Sequence, residues 1–323
     1  PESVMRLLTT LLEQGTLKKI KDYHDFVHRI GRATAKTFGV TPQAFFRCPR
    51  DFNYGCQHGF FEQALIEVPD LKEAALRVCD REFFTTQAPK SLFYCFHGVG
   101  HGVMMARAYD LTASLQICDS FDAPMANQGC WQGVFMENVN GAMEESLGAK
   151  RTFSDTDLLA PCNNLHERYQ WECYINHAGY LVPKAGSLER ATAECLRAAE
   201  PARHSCLQGI GLMATNPAWQ LDLVDEDRGS LLGNALVICQ AFPQEYTWDC
   251  IQAAVDNLSN FDREDTRRPL AFCGQVNEEF QARCYEQVGR SARKEIPAGF
   301  DAASACSGAP EPFRSFCLQG LGV

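Results

Sequence analysis

Three short stretches place metal-binding side chains four residues apart. They are His24 and His28 in DYHDFVH, His58 and Glu62 in CQHGFFE, and His97 and His101 in CFHGVGH. On an α-helix, residues i and i+4 lie one above the other on the same face. His-x-x-x-His is a common way for a helix to hold a metal. Aligned on these pairs, the stretches share [C/D]-x-H-x-x-x-[H/E], with Asp22 standing where the others carry Cys56 and Cys95. Five of the chain's eight histidines occupy this one motif. A polar helix face with histidines bonded to core carbonyls would account for one such pair. Three aligned copies favour a metal. Imidazole-rich ligation with one carboxylate suits a transition metal ion (Fe, Cu or Zn, as one or two ions) and argues against Ca or Mg.

The pattern does not persist along the chain. The next copy carries Gln132 and Met136, followed by Glu137, and later copies carry Ile175 and Gly179, Gln208 and Leu212, Gln252 and Asp256, Glu286 and Arg290. A requirement of the repeat itself would recur in every copy. The expected metal ligands are therefore His24, His28, His58, Glu62, His97 and His101. Glu62 and Glu137 are the candidate catalytic carboxylates, with Glu62 the general base in a hydrolytic reaction. Asp25 is a further carboxylate beside the set, and a solvated or capping role is the plainer reading of Asp25 and Glu137. Tyr23, Tyr94 and Trp131 read as core aromatics that could also serve a redox metal. Asn138 and Asn140 read as helix-end residues, and His166, His177 and His204 fall off the motif as surface or core histidines.

The cysteines define the elements that must position these groups. The 323-residue chain has 16 of them, with no CxxC. Taken in order they form neighbouring pairs, and the last five pairs, from Cys162/Cys173 to Cys306/Cys317, all have a separation of 11. The sequence after the second member also repeats: CQHGFF, CFHGVG, CWQGVF, CLQGIG, CLQGLG. This is an internal repeat at the period of helical hairpins. A first helix ends near its cysteine, a short turn often carrying proline follows, and a second helix starts at the second cysteine. Neighbour pairing would staple each hairpin, while the irregular spacing leaves the pairing of Cys48, Cys56, Cys79 and Cys95 open. The N-terminus adds a copy without cysteine, built from MRLLTTLLEQG and KKIKDYHDFVHRIGRATAKTFG.

The expected fold is all-α: a curved α-solenoid or toroid of about nine helical hairpins, eight of them stapled by an intra-hairpin disulfide. Its layout is similar to that of cysteine-rich α-solenoids of the Sel1-like kind. Residues 1–150 would carry the metal site and residues 151–323 would form degenerate scaffold repeats of the same continuous solenoid. Adjacent packed helices lie roughly 8–10 Å apart. The first and third helices of a flat array would hold their histidines too far apart for one ion. Shared ligation then needs strong curvature, or two ions bridged by the middle helix. Gly98, Gly100 and Gly102 would permit close packing and leave room for an ion.

Composition bounds the function. With 46% hydrophobic residues the chain can bury a large core, and a net charge of −10 without a basic block argues against nucleic acid. No apolar run reaches the roughly 18 residues needed to cross a bilayer. Sixteen cysteines without metal knuckles point to an oxidising compartment, secreted or periplasmic. Neither G-x-S-x-G nor a P-loop occurs. The expected function is a metal-dependent enzyme, an oxygen-dependent oxidoreductase first and a metal-assisted hydrolase second, acting on a small-molecule or peptide substrate on the concave face. A stapled repeat protein that binds a partner or carries metal without catalysis is the alternative.

Overall fold

The computed structural model describes residues 3, 4, 7, 20–49, 54–66, 68–87, 91–143, 152–215, 230–261, 266–295 and 302–323. The side chains of residues 20–25, 86, 87, 143, 261, 294, 295 and 302 fall outside that description. The regular elements among the described residues are all helices, with no strand. Two compact units divide the chain, residues 1–155 and 156–323.

The first unit contains α1 (Ile20–Phe38), α2 (Pro42–Phe45), α3 (Gly55–Ala64), α4 (Leu71–Val78), α5 (Arg81–Gln87), α6 (Ser91–Ala106), α7 (Leu111–Asp119) and α8 (Pro124–Met143). The second contains α9 (Glu167–Ala185), α10 (Leu188–Leu196), α11 (Ala202–Ala214), α12 (Leu231–Gln240), α13 (Thr247–Phe261), α14 (Arg267–Cys273), α15 (Glu278–Glu295) and α16 (Glu311–Leu321), with short 3₁₀ turns at Cys162–Asn164, Gln244–Tyr246 and Ala302–Cys306.

Local chemistry sets the short first helices. Asp70, Asp110, Ser187 and Ser230 each cap a helix by accepting a hydrogen bond from the backbone N–H three residues on, at 2.9, 3.0, 3.2 and 3.2 Å. Such a side chain satisfies one of the orphan donors of a helix start. Each short helix then delivers a cysteine to the next long helix.

All eight disulfides join sequence neighbours, with Cα–Cα distances between 5.3 and 5.8 Å, and no cysteine is free. The pairs left open by the sequence are Cys48–Cys56 and Cys79–Cys95. The second spans 16 residues because the extra helix α5 lies inside its loop. Loop-closure entropy grows only logarithmically, so the 16-residue loop costs the unfolded chain about 0.6 kcal/mol more than the 8-residue one. One detail differs from expectation. The second helices begin before the second cysteine, as in α6, which starts at Ser91 with Cys95 in its second turn. The disulfide therefore grips a formed turn rather than the helix end. Eight disulfides place the chain in an oxidising compartment. Among the described residues, no helix is long and apolar enough to cross a membrane.

The long helices pack in sequence order: α1, α3, α6 and α8 in the first unit, and α9, α11, α13, α15 and α16 in the second. Reciprocal glycines set their closest approaches. A Cβ on Gly31 would stand 2.0 Å from the Cys56 carbonyl oxygen, and one on Gly59 would stand 1.9 Å from that of His28. Gly100 and Gly133 make the same exchange between α6 and α8, at 2.2 Å from Cys130 and 1.9 Å from His97. Gly289 and Gly320 repeat it between α15 and α16, each at 2.0 Å, against Cys317 and Glu286.

These contacts define equivalent positions independently of the histidines. Gly59 faces His28, Gly133 faces His97 and Gly320 faces Glu286, so these three residues correspond. Arg32, His101 and Arg290 correspond four residues on. The alignment of His24 with His97 is therefore corrected by one helical turn: His28 takes the place of His97, and Arg32 that of His101. The reason is physical. A four-residue spacing reads the same one turn along, and α1 has no cysteine to fix its register, whereas Gly31 does fix it.

Candidate metal centre

Three histidines from two adjacent helices meet in the first unit. His58 comes from α3, and His97 and His101 from α6; one ring nitrogen of each lies within 4.8 Å of the other two. All three are enclosed, at 3%, 6% and 0% exposure. His58 stacks on His101 with ring centroids 4.1 Å apart, and the centroids of His58 and His97 are 5.2 Å apart.

The groups behind the rings decide which nitrogens face inward. His97 Nδ1 lies 3.0 Å from Gln132 Oε1 and His101 Nδ1 lies 2.8 Å from Glu137 Oε2, both supplied by α8. With Nδ1–H donated to these oxygens, both Nε2 atoms present lone pairs, and they lie 3.2 Å apart. Two Nε2 atoms at that distance hold either a proton, one donating to the other, or a cation between them. Nitrogens each about 2.0–2.1 Å from one tetrahedral ion stand roughly 3.3–3.4 Å apart, so this pair already has the spacing of two ligands. His58 offers the third nitrogen, within 4.8 Å of the other two. Amide and carboxylate oxygens behind ligand imidazoles are the usual means of fixing tautomer and ring orientation. The residues present fit a transition ion.

The other expected ligands fall around this triad. The rings of His28 lie 5.5 Å from His58 and 6.5 Å from His101, so the first and third long helices do bring imidazoles together. His28 Nδ1 bonds Glu62, and Arg32 donates to the other oxygen of the same carboxylate. Both Glu62 oxygens are thus engaged outside the triad. Burial pushes the Glu62 carboxyl up, but the His28 bond and the charges of His28 and Arg32 outweigh it and leave it below the usual range. The side chains of His24 and Asp25 lie outside the described residues, as does that of Tyr23.

Glu137 is buried and accepts a 2.8 Å hydrogen bond from the Tyr109 hydroxyl as well as facing His101. Burial, reinforced by the charge of Glu62, pushes Glu137 up to about 7 against the hydrogen bonds of Tyr109 and Asn140. Burial drives His97 down to about 4, opposed only by its bond to Gln132. A neutral His97 is the ligand-competent form. Sequence reasoning missed Arg32, Tyr109 and the role of Gln132. Gly31 carries the signal for Arg32. Tyr109 sits in the turn after α6 at φ 61°, which no local pattern announces.

The three glycines around His97 and His101 have a single role. Cβ atoms on Gly98, Gly100 and Gly102 would meet the Phe61 ring at 2.7 Å, the Cys130 carbonyl at 2.2 Å and the Phe61 carbonyl at 2.5 Å. They admit neighbouring helices and open no space for an ion. Trp131 donates across its hairpin to Asp119 at 3.0 Å, and Asn138 bonds Thr152 at 3.0 Å.

No known family, curated protein or solved structure matches the chain.

The remaining histidines are structural. His166 caps α9, and His204 bridges Asp249 and Glu200 at 2.7 and 3.3 Å. His177 is buried and donates from Nε2 to the Leu158 carbonyl at 2.6 Å. Burial holds it down at about 4, whereas an unfolded histidine takes its proton near 6.5. Stability is therefore lost as pH falls from about 6.5 towards 4. Glu172, pushed up to about 7 by burial, acts in the opposite sense and costs stability as pH rises from about 4.5 to 7. His177→Gln is expected to remove the histidine's contribution and leave that of Glu172, so that stability at pH 7 relative to pH 4.5 falls by up to about 3 kcal/mol compared with the parent. Urea midpoints at the two pH values check this, and an unchanged difference refutes it.

Proposed function

We propose that this chain is a transition-metal oxidoreductase, secreted or periplasmic, which holds one Cu or Fe ion on His58, His97 and His101 and uses dioxygen as oxidant. The observation that carries the reading is the approach of His97 and His101 to 3.2 Å between Nε2 atoms whose opposite nitrogens already face acceptors. When bound, the ion supplies one-electron redox chemistry at a water-poor centre. The chain's residues do the rest. Gln132 and Glu137 hold the imidazoles in the Nε2-presenting tautomer, Tyr109 holds Glu137, and the close α6–α8 contact keeps both oxygens against the rings.

Oxidation is favoured over hydrolysis by the state of the two carboxylates. A hydrolytic centre needs a free base over a bound water. Glu62 is engaged by His28 and Arg32, and Glu137 by His101 and Tyr109. Three imidazoles suit copper, iron and zinc alike, so the ligand set itself leaves the choice to the carboxylates. A second reading, a metal carrier without turnover, is favoured by the enclosure of all three ligands at 6% exposure or less.

Metal analysis and an oxygen electrode test the proposal on the purified chain. One Cu or Fe per chain, with oxygen uptake from hydroquinone that requires the ion, is expected. Bound metal without oxygen uptake would leave the carrier. Retained zinc with ester hydrolysis would favour the hydrolase, and a metal-free chain that takes up no ion would remove all three.

A further inference from the structure

An enclosed redox ion needs a route for electrons, because a donor larger than dioxygen cannot touch three ligands that are 0–6% exposed. One route leaves His58. Tyr54, at the start of the same helix, lies within 25° of parallel to the His58 ring at a centroid distance of 6.4 Å. Tyr94 of α6 stacks on Tyr54 at 4.3 Å and 18°. Phe93 meets Tyr94 edge-on at 5.6 Å. Tyr54, Phe93 and Tyr94 are all half-buried. A continuous line of aromatic rings thus runs from an enclosed imidazole to a partly exposed aromatic edge.

The backbone indicates that the stack is built rather than incidental. Tyr54 caps α3 at φ 59°, ψ 12°, in the left-handed region. Bulky L-residues seldom adopt it, while Asn and Gly, the residue types on either side in the sequence NYG, do so readily. Placing a tyrosine there sets its ring between Tyr94 and His58. Strain of this kind concentrates where geometry serves function.

We propose that Tyr94, Tyr54 and His58 form an electron path by which a small aromatic reductant of the hydroquinone class, stacked on the exposed edge formed by Phe93 and Tyr94, reduces the ion held by His58, His97 and His101. The inference rests on the metal site proposed above. A hydroquinone gives up one electron to the ring stack and one proton to solvent, and leaves as a semiquinone. An ion held by His58, His97 and His101 would accept that electron. Two semiquinones disproportionate to one quinone and one hydroquinone. Dioxygen would be the terminal oxidant, taking one electron and leaving as superoxide. A flat aromatic donor fits a surface of aromatic edges better than an aliphatic one.

The test uses the full chain loaded with Cu(II) and mixed anaerobically with hydroquinone, with loss of the Cu(II) paramagnetic signal followed by freeze-quench. Tyr54→Leu and Tyr94→Leu are expected to slow reduction at least tenfold while Cu(II) affinity stays within twofold of the parent. Should Tyr54→Leu fail to fold, Tyr94→Leu carries the test, because its ring is half-exposed. Unchanged reduction in the folded variants overturns the path and leaves the metal site standing. A variant that loses Cu(II) affinity makes the tyrosines packing supports of His58 and also overturns it. A parent chain that takes up no Cu(II) removes both the site and the path.

Discussion

His101→Ala is expected to weaken transition-metal binding by more than a hundredfold. His101 is fully buried, its Nδ1 is held by Glu137 and its Nε2 lies 3.2 Å from that of His97. Removing it leaves two ligands on different helices and strands Glu137 without an imidazole. Replacing a group behind a ligand typically costs 10–100-fold in affinity. Gln132→Leu, which frees the His97 tautomer, should fall in that lower range, and loss of the ligand itself should exceed it. The ordering is the informative feature: His101→Ala worst, Gln132→Leu intermediate, and His177→Ala, a buried histidine of the second unit, without effect. Competition with a chromophoric chelator measures all three on folded protein. If His101→Ala binds as tightly as the parent chain, the triad holds no ion.

Much of this was legible in the sequence, for different reasons in each region. Neighbour pairing of the cysteines follows from the repeated spacing, and it extends to Cys48–Cys56 and Cys79–Cys95, whose spacing breaks the rule. The all-α class follows from helical hairpins of fixed period. His58, His97 and His101 were visible because they recur at fixed offsets from a cysteine that anchors the helix. His24 and His28 had no such anchor, and a pattern with a four-residue spacing cannot distinguish a helix from itself moved by about one turn. Gly31 could have done so, since only glycine tolerates a carbonyl 2.0 Å from its Cβ position. The engagement of Glu62 by Arg32 could not be read, because it depends on that register. Tyr109 reaches Glu137 from a turn with two successive left-handed residues, Ala108 and Tyr109, and nothing in their types foretells it.

The same glycine contacts separate support of the fold from support of the site. In Gly133→Ala the new methyl would stand 1.9 Å from the His97 carbonyl oxygen, and in Gly320→Ala it would stand 2.0 Å from that of Glu286. Both obstacles are helix backbone, so neither can be relieved by a side chain turning aside. Each variant must push a pair of helices apart by more than an ångström, and overpacking of this kind costs 1–3 kcal/mol or more. At the upper end, a unit of this size should lose roughly 6–12 °C of melting temperature. The consequences for metal should diverge. Moving α6 away from α8 pulls His97 from Gln132 and His101 from Glu137, so Gly133→Ala should lose metal affinity along with stability. Moving α15 away from α16 disturbs only the surroundings of Glu286 and Arg290, which take the places of His97 and His101 as an ion pair. Gly320→Ala should therefore be as destabilised as Gly133→Ala and bind metal like the parent. Calorimetry and metal titration on the two variants decide the matter. Equal metal affinity in both would mean that the α6–α8 approach does not hold Gln132 and Glu137 against the ligand imidazoles, since it is the only one of the two contacts that touches them.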